Sequence, residues 1–84
     1  MKMALTLYDQ VSLKRDVPNE GLRAGDVATL VEIVPGPPGQ PQGALIEVFN
    51  ALGQTICVTA VSVEDVEPLR ADEILAVRTL AKAS

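Results

Sequence analysis

The stretch that decides the fold is Val27-Ala28-Thr29-Leu30-Val31-Glu32-Ile33-Val34. Most of these side chains are Val, Leu or Ile, and the β-branched ones lose little further freedom on a pleated surface. Apolar groups fall on both faces of the extended chain, a pattern typical of a strand that is covered on both sides. We therefore predict a central β-strand here, with Glu32, its only charged residue, facing water.

Turn signals and a shorter strand precede this stretch. Gly25-Asp26 opens it, and we expect the Asp26 carboxylate to accept backbone N–H groups of that turn. Pro18-Asn19-Glu20-Gly21 predicts an earlier turn. Further upstream, Val11 and Leu13 alternate with polar residues, which predicts a short, half-buried strand within about residues 6–17.

A proline-rich connection follows the central stretch. Pro35 to Gly43 contains four prolines and three glycines, so it can be neither strand nor helix. Its two Pro-x-x-Pro registers have no flanking Arg or Lys, and we interpret them as a stiffened loop rather than as a peptide ligand. Beyond the loop, Ala44–Asn50 and Gln54–Val61 predict two strands, which the turn Ala51-Leu52-Gly53 joins.

The next residues complete a β domain. Ser62 to Asp65 predicts a single helical turn, and Val66 to Leu69 predicts a short closing strand that Pro68 confines to an edge. The fold class is therefore mainly β: a small, strongly bent antiparallel barrel of about five strands over residues 1–70. A split sandwich, or an open meander capped by the terminal segment, are the alternatives.

The terminal segment, residues 71–84, changes period. Ile74, Val77, Leu80 and Ala81 recur at helical spacing, with acidic residues at the start of the segment and basic residues at its end. An isolated helix of about 12 residues is marginal in water. We therefore expect an added C-terminal α-helix that packs on the barrel or on a second subunit, and a twofold homodimer is the arrangement that we favour.

Composition excludes several classes of partner. Seven basic against eleven acidic residues give a net charge of −4, which opposes binding to nucleic acid or to an anionic membrane. No stretch approaches the roughly 20 apolar residues of a membrane helix. Cys57 is the only cysteine, so no intramolecular disulfide forms. With no signal-peptide pattern after Met1, we expect a cytoplasmic protein.

Catalytic machinery is also missing from the sequence. There is no histidine, so the commonest general base and metal ligand are absent. Cys57 lies in the middle of a predicted strand. We therefore interpret it as a small, buried or half-buried hydrophobic residue rather than as a reactive thiolate. Tyr8 and Phe49, the only aromatic residues, cannot build a groove for proline-rich peptides or a methyl-lysine cage. We therefore expect no enzyme, no cofactor and no metal.

Several motifs agree with a known family in order and spacing. They are Leu7-Tyr8-Asp9-Gln10-Val11-Ser12-Leu13, Gly21-Leu22-Arg23-Ala24-Gly25-Asp26 with the central stretch, Ile46-Glu47-Val48-Phe49, and Asp65-Val66-Glu67-Pro68-Leu69. Over about residues 5–69 the chain resembles the small bacterial domain-of-unknown-function 4926 family. The resemblance implies an SH3-like barrel and implies no activity. Ala28 departs from the family's usual glycine, and the helix predicted after Leu69 is extra.

The leading functional prediction is a non-enzymatic protein-interaction module that binds another protein or itself. Contact would come through sheet edges, the acidic corner or the terminal helix. The candidate contact residues are Glu64, Asp65, Glu67, Ile74, Val77 and Leu80. An alternative is a small acidic regulator or inhibitor of a neighbouring toxin-like enzyme, because an acidic surface suits a basic site. A third is a folded accessory product with no dedicated ligand.

Overall fold

The computed structural model describes residues 5–80 and shows one antiparallel sheet of five strands. The strands are β1 (Gln10–Leu13), β2 (Val27–Val34), β3 (Gly43–Phe49), β4 (Thr55–Ser62) and β5 (Val66–Pro68). Their spatial order is β4-β3-β2-β1-β5, and all four pairings are antiparallel. The predicted mainly β fold and the central position of β2 are confirmed.

The strand β2 lies at the centre because it pairs on both sides. Its first residues pair with β1, where Val11 lies opposite Ala28, and residues 29–34 pair with β3, where Leu30 lies opposite Ile46. A bulge between Leu30 and Glu32 inserts one extra residue into β2. Such a bulge bends a strand and increases its twist, which helps the sheet to curl around its core.

The core is aliphatic, as the scarcity of aromatic residues requires. The side chains of Leu30, Ile46 and Ala44 are fully buried. Other buried apolar residues come from the remaining strands and from the loop before β2: Val11, Leu13, Leu22, Ala28, Val48 and Val66. Residues at alternate positions of β2 and β3 thus point to one face, and that face is the inside of the bent sheet.

Both predicted turns before β2 and the helical turn before β5 are present. Pro18–Glu20 forms a 3₁₀ turn that ends at Gly21, whose positive φ of 72° favours glycine. Val63–Asp65 forms a second 3₁₀ turn, in which the Ser62 hydroxyl accepts a hydrogen bond of 3.2 Å from the Glu64 N–H. These turns reverse the chain at the two places where the sequence predicts a corner.

The predicted barrel is not closed, because the sheet is open between β4 and β5. These two strands lie at its opposite ends, and β5 pairs only with β1. β5 offers few backbone hydrogen-bond donors to a further strand, because it has three residues and Pro68 has no N–H to donate. Since β5 lies beside β1 rather than beside β4, the order also differs from the simple meander that was the alternative.

The prediction of a terminal helix over residues 71–84 is also wrong for the part that the structure describes. Residues 71–80 contain a turn and then irregular chain, and Ala81 lies outside the described residues. The turn starts as a helix would, because the Arg70 N–H donates to Glu73 Oε1 (2.6 Å) and the Glu73 N–H donates to the Arg70 carbonyl (3.1 Å). The helix does not continue, and Arg78 instead binds near the turn before β2. Between residues 5 and 80 no helix is long and apolar enough to cross a membrane.

Candidate interaction surfaces

The edge of the sheet at β4 is the longest exposed backbone edge of the described chain. β4 has eight residues and pairs with β3 on one side, while its other side has no strand partner within residues 5–80. The register with β3 is regular from Cys57 to Ser62, and an irregularity lies near Thr55. This leaves a continuous row of backbone donors and acceptors that another strand can meet.

The sequence around this edge has no charge. The 16 residues between Glu47 and Glu64 contain no Asp, Glu, Lys or Arg. On the outer face, Ile56 is 43% exposed and Val58 is 54% exposed. Phe49, which pairs with Thr55 across the strands, is 40% exposed. The edge therefore combines open backbone with exposed apolar side chains.

One acidic residue borders the outer face of the edge. Glu47 lies opposite Val58 in the register of β3 and β4. Its Oε2 accepts a hydrogen bond of 2.5 Å from the Thr55 hydroxyl. The carboxylate is thus directed along the sheet toward Thr55, and the edge itself stays uncharged.

Cys57 lies on the inner side of β4 and is half-buried against the core cluster, as the sequence suggests. Burial and the charge of Glu20 raise the pKa of the Cys57 thiol. A raised pKa disfavours the thiolate, which is the nucleophilic form. The surroundings of Cys57 thus fit a small hydrophobe.

The carboxylates of the acidic corner differ in exposure and in partners. Glu64 is exposed, but Asp65 pairs with Arg15, with 3.2 Å between Nε and Oδ1. The Asp65 carbonyl also accepts a hydrogen bond of 2.7 Å from the Lys14 N–H. Glu67 is half-buried in β5, opposite Ser12 of β1. Asp65 therefore attaches this corner to the loop after β1, which is a structural role.

The apolar residues predicted for the terminal helix differ in their exposure. Ile74 is 92% exposed and Val77 is 96% exposed, whereas Leu80 is half-buried. Without the helix there is no common stripe. Of the six candidate contact residues, Glu64, Ile74 and Val77 are exposed, whereas Asp65, Glu67 and Leu80 are half-buried.

An ion pair that the sequence does not predict, between Arg78 and Asp26, lies at the turn before β2. Arg78 Nε donates to Asp26 Oδ1 (2.8 Å), Arg78 Nη2 binds Asp26 Oδ2, and Nη2 also donates to the Gly21 carbonyl (3.1 Å). The two side chains are largely covered. A planar guanidinium that meets both oxygens of one carboxylate is the most specific geometry an ion pair takes.

Asp26 also has the turn-forming role that the sequence predicts. Its Oδ2 accepts a hydrogen bond of 2.8 Å from the Arg23 N–H. The hydrogen bond from Arg78 lowers the pKa of Asp26, the backbone bond from Arg23 acts in the same direction, and burial opposes both. Asp26 is therefore ionised at neutral pH and serves both its own turn and Arg78.

Residues 5–80 contain no group of three or more Cys, Asp or Glu side chains placed to hold a metal ion. Every buried side-chain nitrogen or oxygen in this part of the chain has a hydrogen-bond partner. No described polar group is therefore left over as a sign of a missing ligand.

The sequence model of the family described as Domain of unknown function (DUF4926) matches residues 7–68. The chain belongs to this family. The resemblance predicted for about residues 5–69 is thereby confirmed. Comparisons with curated proteins and with solved structures found no match.

The DUF4926 match contains the whole described sheet, from before β1 to the end of β5. Asp26 lies inside the matched region and Arg78 lies outside it. No local signal in the sequence identifies Arg78 as a partner of Asp26, because 52 positions separate them and each residue also fits an ordinary role in its own segment.

Proposed function

We propose that this DUF4926 domain is a non-enzymatic protein-interaction module that binds by adding a strand at the edge of β4. One observation supports this most: an eight-residue edge strand with no charge, no proline and no glycine. Natural proteins usually protect such edges with charges, prolines or short strands, because an open edge accepts other strands. The opposite edge, β5, is protected in that way by its length and by Pro68.

The partner that fits this edge is a second copy of the chain. The chain carries a net charge of −4, so two copies repel each other over most of their surface. The repulsion is weakest where neither copy has charge, and residues 48–63 provide such a region. Antiparallel pairing of β4 with its twofold mate would satisfy the open backbone groups of both copies at once.

Apolar burial adds to the backbone pairing. A continuous sheet through two copies of β4 places the exposed Ile56 and Val58 of one copy beside those of the other on the outer face. Removal of apolar surface from water contributes about 25 cal/mol per Å². Pairing would thus cover side chains that are exposed in the single chain.

The test is light scattering after size exclusion on the full chain and on two variants. We expect the wild type to be a dimer at tens of micromolar. Val58→Lys should raise the dimer dissociation constant at least about tenfold, because two ammonium groups would meet on one face of the shared sheet. The fold should tolerate this change, since Val58 is 54% exposed in the single chain.

The matched control is Ile74→Lys, which places the same charge on an aliphatic residue that is exposed and far along the chain from β4. It should leave the dimer unchanged. A wild type that is monomeric at tens of micromolar would refute self-association, and a Val58→Lys variant that dimerises as tightly as the wild type would refute the β4 edge as its site. Circular dichroism of both variants checks that each is folded.

The alternative function, an acidic inhibitor of a basic toxin-like enzyme, stays a prediction. Its surface would be the acidic corner, where Asp65 is already paired with Arg15 and Glu67 is half-buried. No contact among the described residues favours it over strand addition.

A further inference from the structure

Among the described residues of the C-terminal segment, one side chain makes the hydrogen bonds to the sheet domain. Within residues 71–80, hydrogen bonds to residues before position 70 come from Arg78 alone. Ile74 and Val77 are almost fully exposed, so the intervening chain does not pack on the domain. What the domain recognises in this segment is therefore an arginine side chain.

The receiving site is built by local contacts that do not involve Arg78. The Asp26 carboxylate is oriented by the N–H of Arg23 (2.8 Å), and Asp16 Oδ1 accepts the N–H of Ala24 (2.9 Å). The Gly21 carbonyl is placed by the 3₁₀ turn that ends there with positive φ. Asp16, Gly21 and Arg23 line a shallow depression together with Pro18, Leu22 and Arg78.

The chemistry of the site selects a guanidinium. Asp26 supplies two acceptor oxygens in one plane, and Gly21 supplies a third acceptor beside them. A guanidinium has planar donors that reach all three, whereas the ammonium of lysine is a compact charge without that fork. The charge of Asp16 lies close enough to favour the same cation.

We propose that the turn from Gly21 to Asp26 is a binding site for the arginine side chain of a peptide, and that Arg78 is its internal ligand. When Arg78 leaves, the site accepts an arginine supplied in trans. Because Arg78 is tethered, its local concentration is of millimolar order, and an external peptide must compete with it. This site lies in the turn that precedes β2, and it shares no residue with the proposed interaction surface at the β4 edge.

The test uses full-length chain and short capped peptides, with amide chemical shifts of Arg23, Ala24 and Asp26 as the readout. The acceptor is Arg78→Ala, in which the site is empty of its internal ligand. The probe is Ala-Val-Arg-Thr, the sequence of residues 76–79, and the matched probe is Ala-Val-Lys-Thr. We expect saturable shifts with the arginine peptide, and an affinity at least about fivefold weaker for the lysine peptide.

Two further variants sharpen the result. Asp26→Asn combined with Arg78→Ala should abolish the saturable shifts, because the side chain at position 26 no longer carries the negative charge that binds the guanidinium. The wild type should need a severalfold higher peptide concentration than Arg78→Ala, since Arg78 competes. If Arg78→Ala is poorly folded, Arg78→Lys serves as the acceptor, because it keeps the charge and loses the fork. Equal binding of the two peptides, or shifts that do not saturate, would overturn the proposal.

Discussion

Asp26 shows how one residue takes two roles that lie far apart in sequence. Its carboxylate closes its own turn through the Arg23 N–H and binds Arg78 across 52 positions. The first role is local, so Gly25-Asp26 predicts it. The second depends on where the chain returns, and no local pattern predicts it.

A pH titration tests the interaction of Asp26 with Arg78. Because the pKa of Asp26 is lowered in the folded chain, its ion pair stabilises the fold fully above the ordinary carboxyl value of 3.8. That stabilisation is lost as the pH falls through the lowered folded value. We expect Asp26→Asn to be less stable than the wild type at pH 7, and the difference in free energy of unfolding to vanish as the pH falls well below 3.8.

The comparison with a variant is needed because other carboxylates also titrate in this range. Asp72→Asn is the control, since Asp72 is exposed and its one ion pair within residues 5–80 is with the exposed Arg70. Its effect should be small at every pH. A difference between wild type and Asp26→Asn that stays constant from pH 7 to about pH 2 would show that the ion pair does not contribute.

At the scale of elements, the proline-rich loop is more tightly built than its composition suggests. A Cβ added to Gly36 would lie 2.0 Å from the Pro41 carbonyl oxygen and 3.2 Å from that of Gln40. The Gln40 N–H also donates to the Pro37 carbonyl at 2.9 Å. The loop therefore closes on its own backbone at Gly36, and only glycine fits there.

We expect Gly36→Ala to lower the free energy of unfolding by about 1–3 kcal/mol, because the backbone of Pro41 must move away. Gln40→Ala, at an exposed position of the same loop, is the control and should change stability little. Urea unfolding measures both, with the midpoint shifting at an unchanged slope. A stable Gly36→Ala variant would mean that the loop is freely adaptable.

The two edge elements differ for reasons that can be read in their residues. β5 is short and ends at Pro68, whereas β4 is long and uncharged. A long, uncharged edge strand such as β4 can pair with another strand, and the proposed interaction is therefore placed at β4.

At the scale of the whole molecule, stability rests on a small aliphatic core. Leu30 is fully buried and lies opposite Ile46, and its backbone N–H and carbonyl bind Asp9 and Tyr8. A domain of this length has a total stability of roughly 4–13 kcal/mol at about 0.05–0.15 kcal/mol per residue. The burial of one central side chain therefore contributes a large share of the free energy of unfolding.

We expect Leu30→Ala to cost about 2–5 kcal/mol of unfolding free energy, through lost burial and the cavity that remains. Leu52→Ala is the matched control, because Leu52 is exposed in the turn between β3 and β4 and should change stability by less than about 0.5 kcal/mol. Chemical unfolding of both variants gives the comparison. Equal effects would mean that the core is not centred on Leu30.

The sequence by itself determines the local structure of this protein. The span of β2, the turns at Gly21 and Gly25, the 3₁₀ turn before β5 and the half-buried position of Cys57 all follow from β-branched runs, turn residues and alternation. Each of these features depends on neighbours within a few positions, and short-range sterics fix them. Membership of the DUF4926 family follows from the same motifs.

Only the tertiary structure decides the features that join distant parts of the chain. Helical spacing in residues 71–80 predicts a helix, but a short helix is marginal alone, and Arg78 binds Asp26 and Gly21 in a non-helical segment instead. The five strands suggest closure, yet β5 pairs with β1 and β4 pairs with β3, so the sheet stays open between β4 and β5. Long-range pairing depends on geometry that no local pattern contains, and both candidate binding sites of this protein arise from it.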